Sequence, residues 1–495
     1  MNNTIIDPKT FDIPDTVSRV TQTLKDAGFE AYIVGGCVRD LFLGRAPKDW
    51  DLTTNAKPEE IIALFEETFY ENDFGTVGVV TESEDPSQKI IEITPYRTES
   101  LYSDRRRPDA VTFSDTIAED LKRRDFTINA MAFDVITGEF IDMYGGIEDL
   151  HKKQIQTVGE PADRFNEDGL RILRAVRIAT ELGFDIEEKT LQAIKDNSSL
   201  LSHISVERIK DEFTRIVMSK EPMAGIVLCQ HVGILSLIIP ELEKGIGVEQ
   251  TPSHAFDVWT HLLKSLQHAA DKGYPLYVRL SALFHDIAKP DTRRFSKGKD
   301  KYTFYGHEVV GARMVKKILQ RLKYPKETVE MVTTMVRWHM FFADPDLITL
   351  SAVRRMIANV GKDRIWDLMN IRMCDRIGTG RPKENPYRLR KYQAMVEEAL
   401  HDPVSVAMLA INGKDIMDVT RETPGPKIGY ILNALLEEVL DNPTLNTKEY
   451  LLKRATELLA LSLDELQAKA AQGKDLKEET QKAEIQKIRR KHKVD

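Results

Sequence analysis

Residues 32–54 read Tyr32-Ile-Val-Gly35-Gly36-Cys-Val-Arg39-Asp-Leu-Phe-Leu-Gly44-Arg-Ala-Pro-Lys48-Asp49-Trp-Asp51-Leu-Thr-Thr54. The apolar run Ala31–Val34 predicts a strand that stops at the glycine pair. There the missing Cβ lets the backbone turn tightly and approach a ligand. Cys37–Leu43 predicts a short helix whose free N–H groups aim back at the turn, an arrangement that suits phosphate. Arg39, in its first turn, can add charge-assisted hydrogen bonds to a triphosphate. Asp49 and Asp51 stand two apart at the start of a second predicted strand, Trp50–Thr53, so both carboxylates face one side. Such a pair leaves coordination positions open for phosphate and water oxygens and suits Mg²⁺. In Lys89-Ile-Ile-Glu92-Ile-Thr94, Glu92 alternates with apolar neighbours and is a candidate third acid. Three carboxylates around paired Mg²⁺ ions can activate an attacking hydroxyl and stabilise a leaving pyrophosphate.

Outward from this stretch, strands are predicted at Thr76–Thr81, Lys89–Thr94 and Ala132–Asp134, and helices at Pro14–Ala27 and Pro58–Phe69. The mixture predicts an α/β head. From about Arg164 to Leu461 the pattern reads as helices punctuated by Gly and Pro. The expected division is an N-terminal helix (1–27), a head (28–150), a helical neck (151–235), a histidine-rich helical domain (236–385), a helical C-terminal region (386–461) and a charged, flexible tail (462–495). The fold class is multidomain α+β.

A chain of 495 residues, 42% hydrophobic and 30% charged, is long enough for several cores and excludes collagen-like, disulfide-scaffold and wholly disordered classes. Three scattered cysteines, Cys37, Cys229 and Cys374, fit a reducing cytosol. No apolar run approaches the ~18 residues of a membrane span, and the first residues do not read as a signal peptide. Net charge is −8, from 70 basic and 78 acidic residues, which argues against a uniformly basic nucleic-acid binder. Basic residues are clustered instead, at Arg105-Arg106-Arg107, at Lys122-Arg123-Arg124 and at Arg171, Arg174 and Arg177.

The first stretch resembles class II tRNA nucleotidyltransferases (CCA-adding enzymes) and their bacterial poly(A) polymerase relatives, whose first motif runs Gly-Gly-x-Val-Arg-Asp…Leu-Gly…Lys-Asp-x-Asp. A second stretch, Asp120-Leu-Lys-Arg-Arg124-Asp125-Phe-Thr-Ile-Asn129-Ala, is similar to the family's Arg-Arg-Asp-Phe-Thr-x-Asn-Ala segment. The resemblance implies a polymerase-β-like head with Asp49 and Asp51 as catalytic metal ligands. It also implies Arg124 on triphosphate or ribose, and Asp125 and Asn129 around the sugar. Glu92 follows from strand alternation alone.

In the neck, Asn166-Glu-Asp168-Gly-Leu-Arg171-Ile-Leu-Arg174-Ala-Val-Arg177 predicts one helix with Leu170, Leu173 and Val176 on its buried side. Asp168 and Arg171 would then lie one turn apart and reach one ligand. A carboxylate accepts from an exocyclic amine and a guanidinium donates to a ring nitrogen or carbonyl. Such a pair selects C and A over U and G by donor–acceptor complementarity. The segment resembles the family's Glu-Asp-x-x-Arg motif, which implies that role. Arg174 and Arg177 continue the face as candidate contacts to phosphate or primer.

Six of the eleven histidines, His254, His261, His268, His285, His307 and His339, fall within Ser253–Met340, where an even spread gives about two. Adjacent His285-Asp286 lets one carboxylate bridge two metals while imidazoles fill the remaining positions. The donor set suits Mn, Ni, Fe, Co or Zn, and such ions can activate water toward a phosphoester. The set resembles an HD-superfamily phosphohydrolase. The resemblance implies His261, His285, Asp286 and Asp375 as core ligands, His307 and His339 as the extra ligands of a dinuclear centre, and Lys289 as a phosphate contact. His254 and His268 read as ordinary core histidines. Farther on, Gly425, Lys427 and Gly429 read equally as a phosphate contact or a helix cap.

Together these readings predict template-independent addition of C and A to the 3′ end of tRNA in the cytoplasm, from CTP and ATP with Mg²⁺, and a second, transition-metal phosphohydrolase activity. The alternatives are a poly(A) polymerase, an enzyme adding only A or only CC, and a phosphohydrolase with an RNA-binding head. A Gly-Arg-Arg-Phe-type segment, usual in poly(A) polymerases after Asp-x-Asp, is replaced here by Phe74-Gly-Thr-Val-Gly-Val-Val. Oligomeric state stays open.

Overall fold

The computed structural model describes residues 6–70, 75–99, 111–250, 254–296, 301–341 and 348–466. The basic run Arg105-Arg106-Arg107 and the expected tail beyond residue 466 lie outside them. The chain divides into two compact units, residues 1–243 with 321–324, and the remainder.

The first unit opens with the Asp15–Asp26 helix, which buries Val17, Val20 and Leu24. It then builds a mixed seven-stranded sheet. In chain order the strands are β1 (Ala31–Val34), β2 (Trp50–Thr54), β3 (Thr68–Tyr70), β4 (Val77–Val80), β5 (Ile90–Pro95), the separate pair β6 (Arg97–Glu99) and β7 (Val111–Phe113), then β8 (Met131–Phe133) and β9 (Phe140–Asp142). The spatial order is β3-β4-β5-β2-β1-β8-β9, with β2 parallel to β5 and the other neighbours antiparallel. Ile33, Leu52, Ile91 and Ile93 are fully or almost fully buried. Each such aliphatic side chain contributes about 1.5–3 kcal/mol.

One expected helix is corrected here. Pro58–Phe69 stops being helical at Leu64, and Thr68–Tyr70 instead forms edge strand β3 against β4. The β-branched and aromatic residues there prefer a pleated surface, and the Phe69 ring lies over Gly78, where an added Cβ would come within 2.4 Å.

Past the head, helices dominate, but three short stretches escaped the periodicity. The pair β10 (Gln154–Ile155) and β11 (Asp185–Ile186) is parallel. The neck motif is also not one helix. Pro161–Glu167 ends before Asp168, whose backbone is extended (φ −142°, ψ 106°), and Leu170–Leu182 starts afresh after Gly169. A Cβ at Gly169 would lie 3.0 Å from the Leu200 side chain and 3.1 Å from its carbonyl oxygen. The chain therefore passes tightly against residue 200 at Gly169, next to the break at Asp168. Leu170, Leu173 and Val176 are buried as expected.

In the second unit, the Val258–Asp271, Leu276–Phe284, His307–Arg321, Lys326–Trp338 and Ile365–Gly378 helices carry or adjoin the residues of the histidine cluster. A small antiparallel hairpin, β12 (Arg294–Ser296) and β13 (Lys301–Thr303), interrupts the helices. One continuous apolar core runs from Val278 and Met335 through Ile357 and Leu368 to Tyr392, Leu435, Val439 and Leu458. The C-terminal helices and the histidine-bearing helices thus share a core. Gly378 is required where Ile365–Gly378 crosses Val258–Asp271, because a Cβ there would sit 2.1 Å from Ser265 Oγ and 3.0 Å from His261 Nδ1.

Candidate active sites

In the head, Gly35 holds φ +83°, a conformation that favours glycine. A Cβ there would meet Arg124 Nη1 at 3.2 Å and Asp51 Oδ2 at 3.7 Å, so the turn sits between a cation and an acid from other elements. Asp51 and Glu92 are register partners across the parallel β2–β5 pair, which puts both side chains on one face of the sheet. Asp49 is exposed just before β2. Arg39 is oriented from two sides. Its Nη1 donates to Asn129 Oδ1 (2.7 Å), and Nε and Nη2 donate to Asp40 Oδ1 (3.0 and 2.9 Å). Buried Asp120, which sequence reading passed over, accepts from Arg124 Nη2 (2.9 Å) and Arg123 Nη2 (2.6 Å) and so fixes both guanidiniums.

Asp125 continues this network into the neck. Its Oδ1 accepts from Asn129 Nδ2 (3.1 Å), and its Oδ2 accepts from Arg174 Nε and Nη2 (2.8 and 2.6 Å). Burial alone would raise its pKa; Arg174 and Asn129 outweigh burial and hold the carboxyl well below the usual range. Arg174 is therefore a brace for the head motif. Arg177 needs a firmer correction. It is buried, donating from Nε to Glu212 (2.5 Å) and from Nη1 to Glu181 (2.7 Å). A guanidinium held inside by two carboxylates does not face RNA phosphate.

Asp168 and Arg171 have different partners. Arg208 Nη2 donates to Asp168 Oδ2 (2.6 Å) and Leu170 N to Oδ1 (3.0 Å). Arg171 donates to Glu167 (2.5 Å) and to the carbonyl oxygen of Arg123 (2.9 Å). Each is thus held by partners of its own on either side of the helix break. Arg208 and Glu212 were missed because their partners lie 40 and 35 residues away in sequence.

The second unit gathers the histidines. His261, His285, Asp286 and Asp375 each offer a ligand atom within 4.8 Å of the others, and so do Asp286, His307 and His339; all six residues are buried. Asp286 belongs to both groups. Its Oδ2 is 3.0 Å from His261 Nε2 and 3.3 Å from His285 Nε2, and its Oδ1 is 3.0 Å from His307 Nε2 and 3.4 Å from His339 Nε2. His285, His307 and His339 each direct Nδ1 at a backbone carbonyl three residues back, at 2.9, 2.6 and 2.7 Å. That bond fixes the tautomer with the Nε2 lone pair turned inward, as a metal-binding imidazole requires.

The donor set fits a metal. His261 Nε2 and His285 Nε2 stand 2.8 Å apart, close to the about 2.9 Å between ligands at right angles with bonds of about 2.05 Å. Asp286 Oδ1 is also a buried acceptor without a hydrogen-bond donor among the described residues. Lys289 Nζ donates to Asp286 Oδ2 (2.5 Å) and Gln250 Oε1 (2.6 Å), so the ammonium is anchored at the edge of the cluster. Among the described residues, these two groups are the ones that draw three donor atoms so close. Asp49, Asp51 and Glu92 form a more open set.

Three family models match the chain in succession: the poly A polymerase head domain over residues 31–156, a probable RNA- and SrmB-binding site of polymerase A over 183–246, and the HD domain over 253–364. The Enterococcus faecalis CCA-adding enzyme is 32% identical over 447 residues, 88% of this chain and 94% of that one. The chain belongs to the CCA-adding enzyme family. The Lactobacillus helveticus CCA-adding enzyme is 54% identical over 198 residues, and this match spans 40% of the chain and 48% of that relative. Among solved structures, the Bacillus stearothermophilus CCA-adding enzyme in complex with CTP superposes with a TM-score of 0.67 at 27% identity, over 90% of this chain and 98% of that one.

In this chain, a cavity of about 380 Å³ opens beside the histidine cluster. Its lining includes His254, which reads from sequence as a core residue; its ring centroid lies 5.7 Å from that of His261, and burial pushes its pKa down to about 4. His268 lies elsewhere and pairs with Glu384 at 2.9 Å. Lys427 has Glu422 3.8 Å away, at the start of the Pro426–Asp441 helix. The three cysteines are free and buried. No helix among the described residues is long and apolar enough to cross a membrane.

Proposed function

We infer that this nucleotidyltransferase completes the 3′ end of tRNA with C and A taken from CTP and ATP, in the cytoplasm. The observation that carries the reading is the convergence on Gly35, where Asp51, Arg124 and the Arg39–Asn129–Asp125 chain meet around a turn that excludes a side chain. Asp49 and Asp51, with Glu92 on the neighbouring strand, would hold Mg²⁺. Bound there, the ion supplies charge neutralisation for a triphosphate and a leaving pyrophosphate. Arg39 and Arg124, held by Asp40 and Asp120, are preorganised donors for the phosphates, so little reorganisation is needed as charge develops. The tRNA 3′ oxygen bonds to the α-phosphorus, the bond to the bridging oxygen breaks, and pyrophosphate carries the electron pair away. Asp168 and Arg171 supply the acceptor and donor that distinguish C and A from U and G. The test is incorporation of each labelled nucleotide into tRNA truncated at its 3′ end. Addition of A alone, or of C alone, would replace the reading with a partial-addition enzyme.

The sharing of Asp286 between two ligand groups favours a second function, phosphoester hydrolysis in the HD domain. His261, His285, Asp286 and Asp375 would hold one first-row transition metal, and Asp286, His307 and His339 another. Such ions supply Lewis acidity and activated water. The imidazole–carbonyl bonds keep the ligands oriented, and Lys289 offsets charge at the shared carboxylate. Metal content of the purified chain, measured alongside hydrolysis of a simple phosphoester, tests this.

A further inference from the structure

The cavity beside Asp286 holds more positive charge than one reacting phosphoryl group calls for. Arg372, Arg376 and Arg381 all line it, together with Lys289. Arg372 is neutralised by Asp375, Nη1 to Oδ2 at 2.5 Å. Among the described residues neither of the other two is paired with an acid: Arg376 Nε donates to the carbonyl oxygen of Lys383 (3.3 Å), and Arg381 is exposed. Some arginines elsewhere in this unit are matched, Arg354 by Asp402 (2.8 Å), Arg355 by Glu437 (3.1 Å) and Arg454 by Glu438 (2.9 Å), whereas half-buried Arg364, like Arg376, has no ion pair among the described residues.

Crowding guanidiniums without acids costs Coulomb repulsion, strongest where solvent is partly excluded. An anion that lies between them reverses the sign of that term, and a phosphate with its three oxygens matches the guanidinium fork. The cavity volume lies at the lower end of the range for small-molecule sites. Its lining also includes the aromatic residues Tyr302, Phe304 and Tyr305, the last 64% exposed, side chains of the kind on which a flat base can stack.

We propose that this cavity binds nucleotides carrying two phosphoryl groups, one at the histidine–aspartate cluster and the second on Arg376 and Arg381. The inference rests on the hydrolase reading for its chemistry. Water adds its oxygen to phosphorus, the P–O ester bond breaks, and the leaving oxygen takes up a proton to become a free hydroxyl. The binding subsite stands independently of that step. The same two-phosphate pattern occurs in a free nucleoside bisphosphate and at an RNA end, where the internucleotide phosphate is the second group.

The test uses the full chain. Adenosine 3′,5′-bisphosphate and adenosine 3′-monophosphate are titrated by calorimetry into metal-stripped protein, and their hydrolysis is then followed with Mn²⁺ or Ni²⁺ added. The bisphosphate is expected to bind about tenfold more tightly, and Arg376→Gln with Arg381→Gln to bring the ratio to about one. Nucleotide addition in the head and the melting temperature serve as controls for folding. Equal affinity in the wild type, or an advantage that survives in the double variant, would overturn the subsite. A retained binding preference with neither compound hydrolysed would remove the hydrolase reading and leave the subsite standing. A short RNA ending in a 3′-phosphate separates the sources: tighter binding than the bisphosphate identifies an RNA end, and weaker binding a free nucleotide.

Discussion

Asp125 and Arg174 are joined through one carboxylate oxygen, which accepts from both Nε and Nη2 of a guanidinium 49 residues away. The bond ties the second head motif to the Leu170–Leu182 helix, so the residues expected around the sugar and those expected around the base are fixed to a common frame. Breaking such a pair by removing one partner typically costs about 3–5 kcal/mol, because the other charge stays buried.

Asp125→Asn should therefore destabilise the chain at neutral pH by about 3 kcal/mol. The Asp125 carboxyl is held below its ordinary value in the folded state. Its contribution is then complete above the unfolded pKa, about 4, and is lost as pH falls toward the folded value. Urea denaturation between pH 7 and pH 3 should show wild type and variant converging as the medium becomes acidic. A gap independent of pH would show that ionisation of Asp125 is not what stabilises.

Asp49→Ala and Asp51→Ala should each lower nucleotide incorporation by about a hundredfold or more, with folding and tRNA binding kept. Single-turnover incorporation and a tRNA mobility shift measure the two separately. Near-normal incorporation by either variant would remove that residue from the proposed Mg²⁺ site.

Replacing Asp168 by Ala takes away the proposed acceptor for an exocyclic amine and leaves Arg208 without its carboxylate. Discrimination of C and A against U and G should weaken beyond any general loss of rate. Competition with all four nucleotides reads this directly, and unchanged selectivity would sink the idea that protein groups choose the base.

Arg177→Met should cost about 3 kcal/mol, since it removes the guanidinium bonded to buried Glu212 and leaves that acid only the more distant Arg174 at 3.9 Å. The folded fraction should still add nucleotides at close to the normal rate. A large loss of tRNA affinity in well-folded variant would restore Arg177 as a contact to RNA.

Combining His285→Ala with Asp286→Ala should strip bound transition metal, seen by elemental analysis, and abolish phosphoester hydrolysis. Nucleotide addition should persist, because the head acids belong to other strands and another unit. Loss of both activities in folded protein would mean one shared site.

The parts of this molecule legible in the sequence are those governed by neighbours. The β1 turn at Gly35 and strands β2 and β5 follow from local patterning, and the candidate metal ligands stand out because histidine and aspartate are spaced in an order with few other uses. What escaped depends on distant partners. Thr68–Tyr70 becomes a strand because β4 lies beside it, and the helical pattern of the neck breaks at Asp168, next to the point where Gly169 packs against Leu200. Arg177 looked like a continuation of a basic face, yet Glu212 had claimed it. The β12–β13 hairpin is too short and too polar to announce itself by period, although it lines the cavity through Tyr302 and Thr303.

Asp286 serves both groups of the histidine cluster, one oxygen to each. Damage to the cluster is therefore unequal. A change at His261 touches one group and a change at His339 the other, whereas a change at Asp286 reaches both at once. Loss of this single acid would leave neither group its full set of donors, so one substitution there would do the harm of two made elsewhere in the cluster.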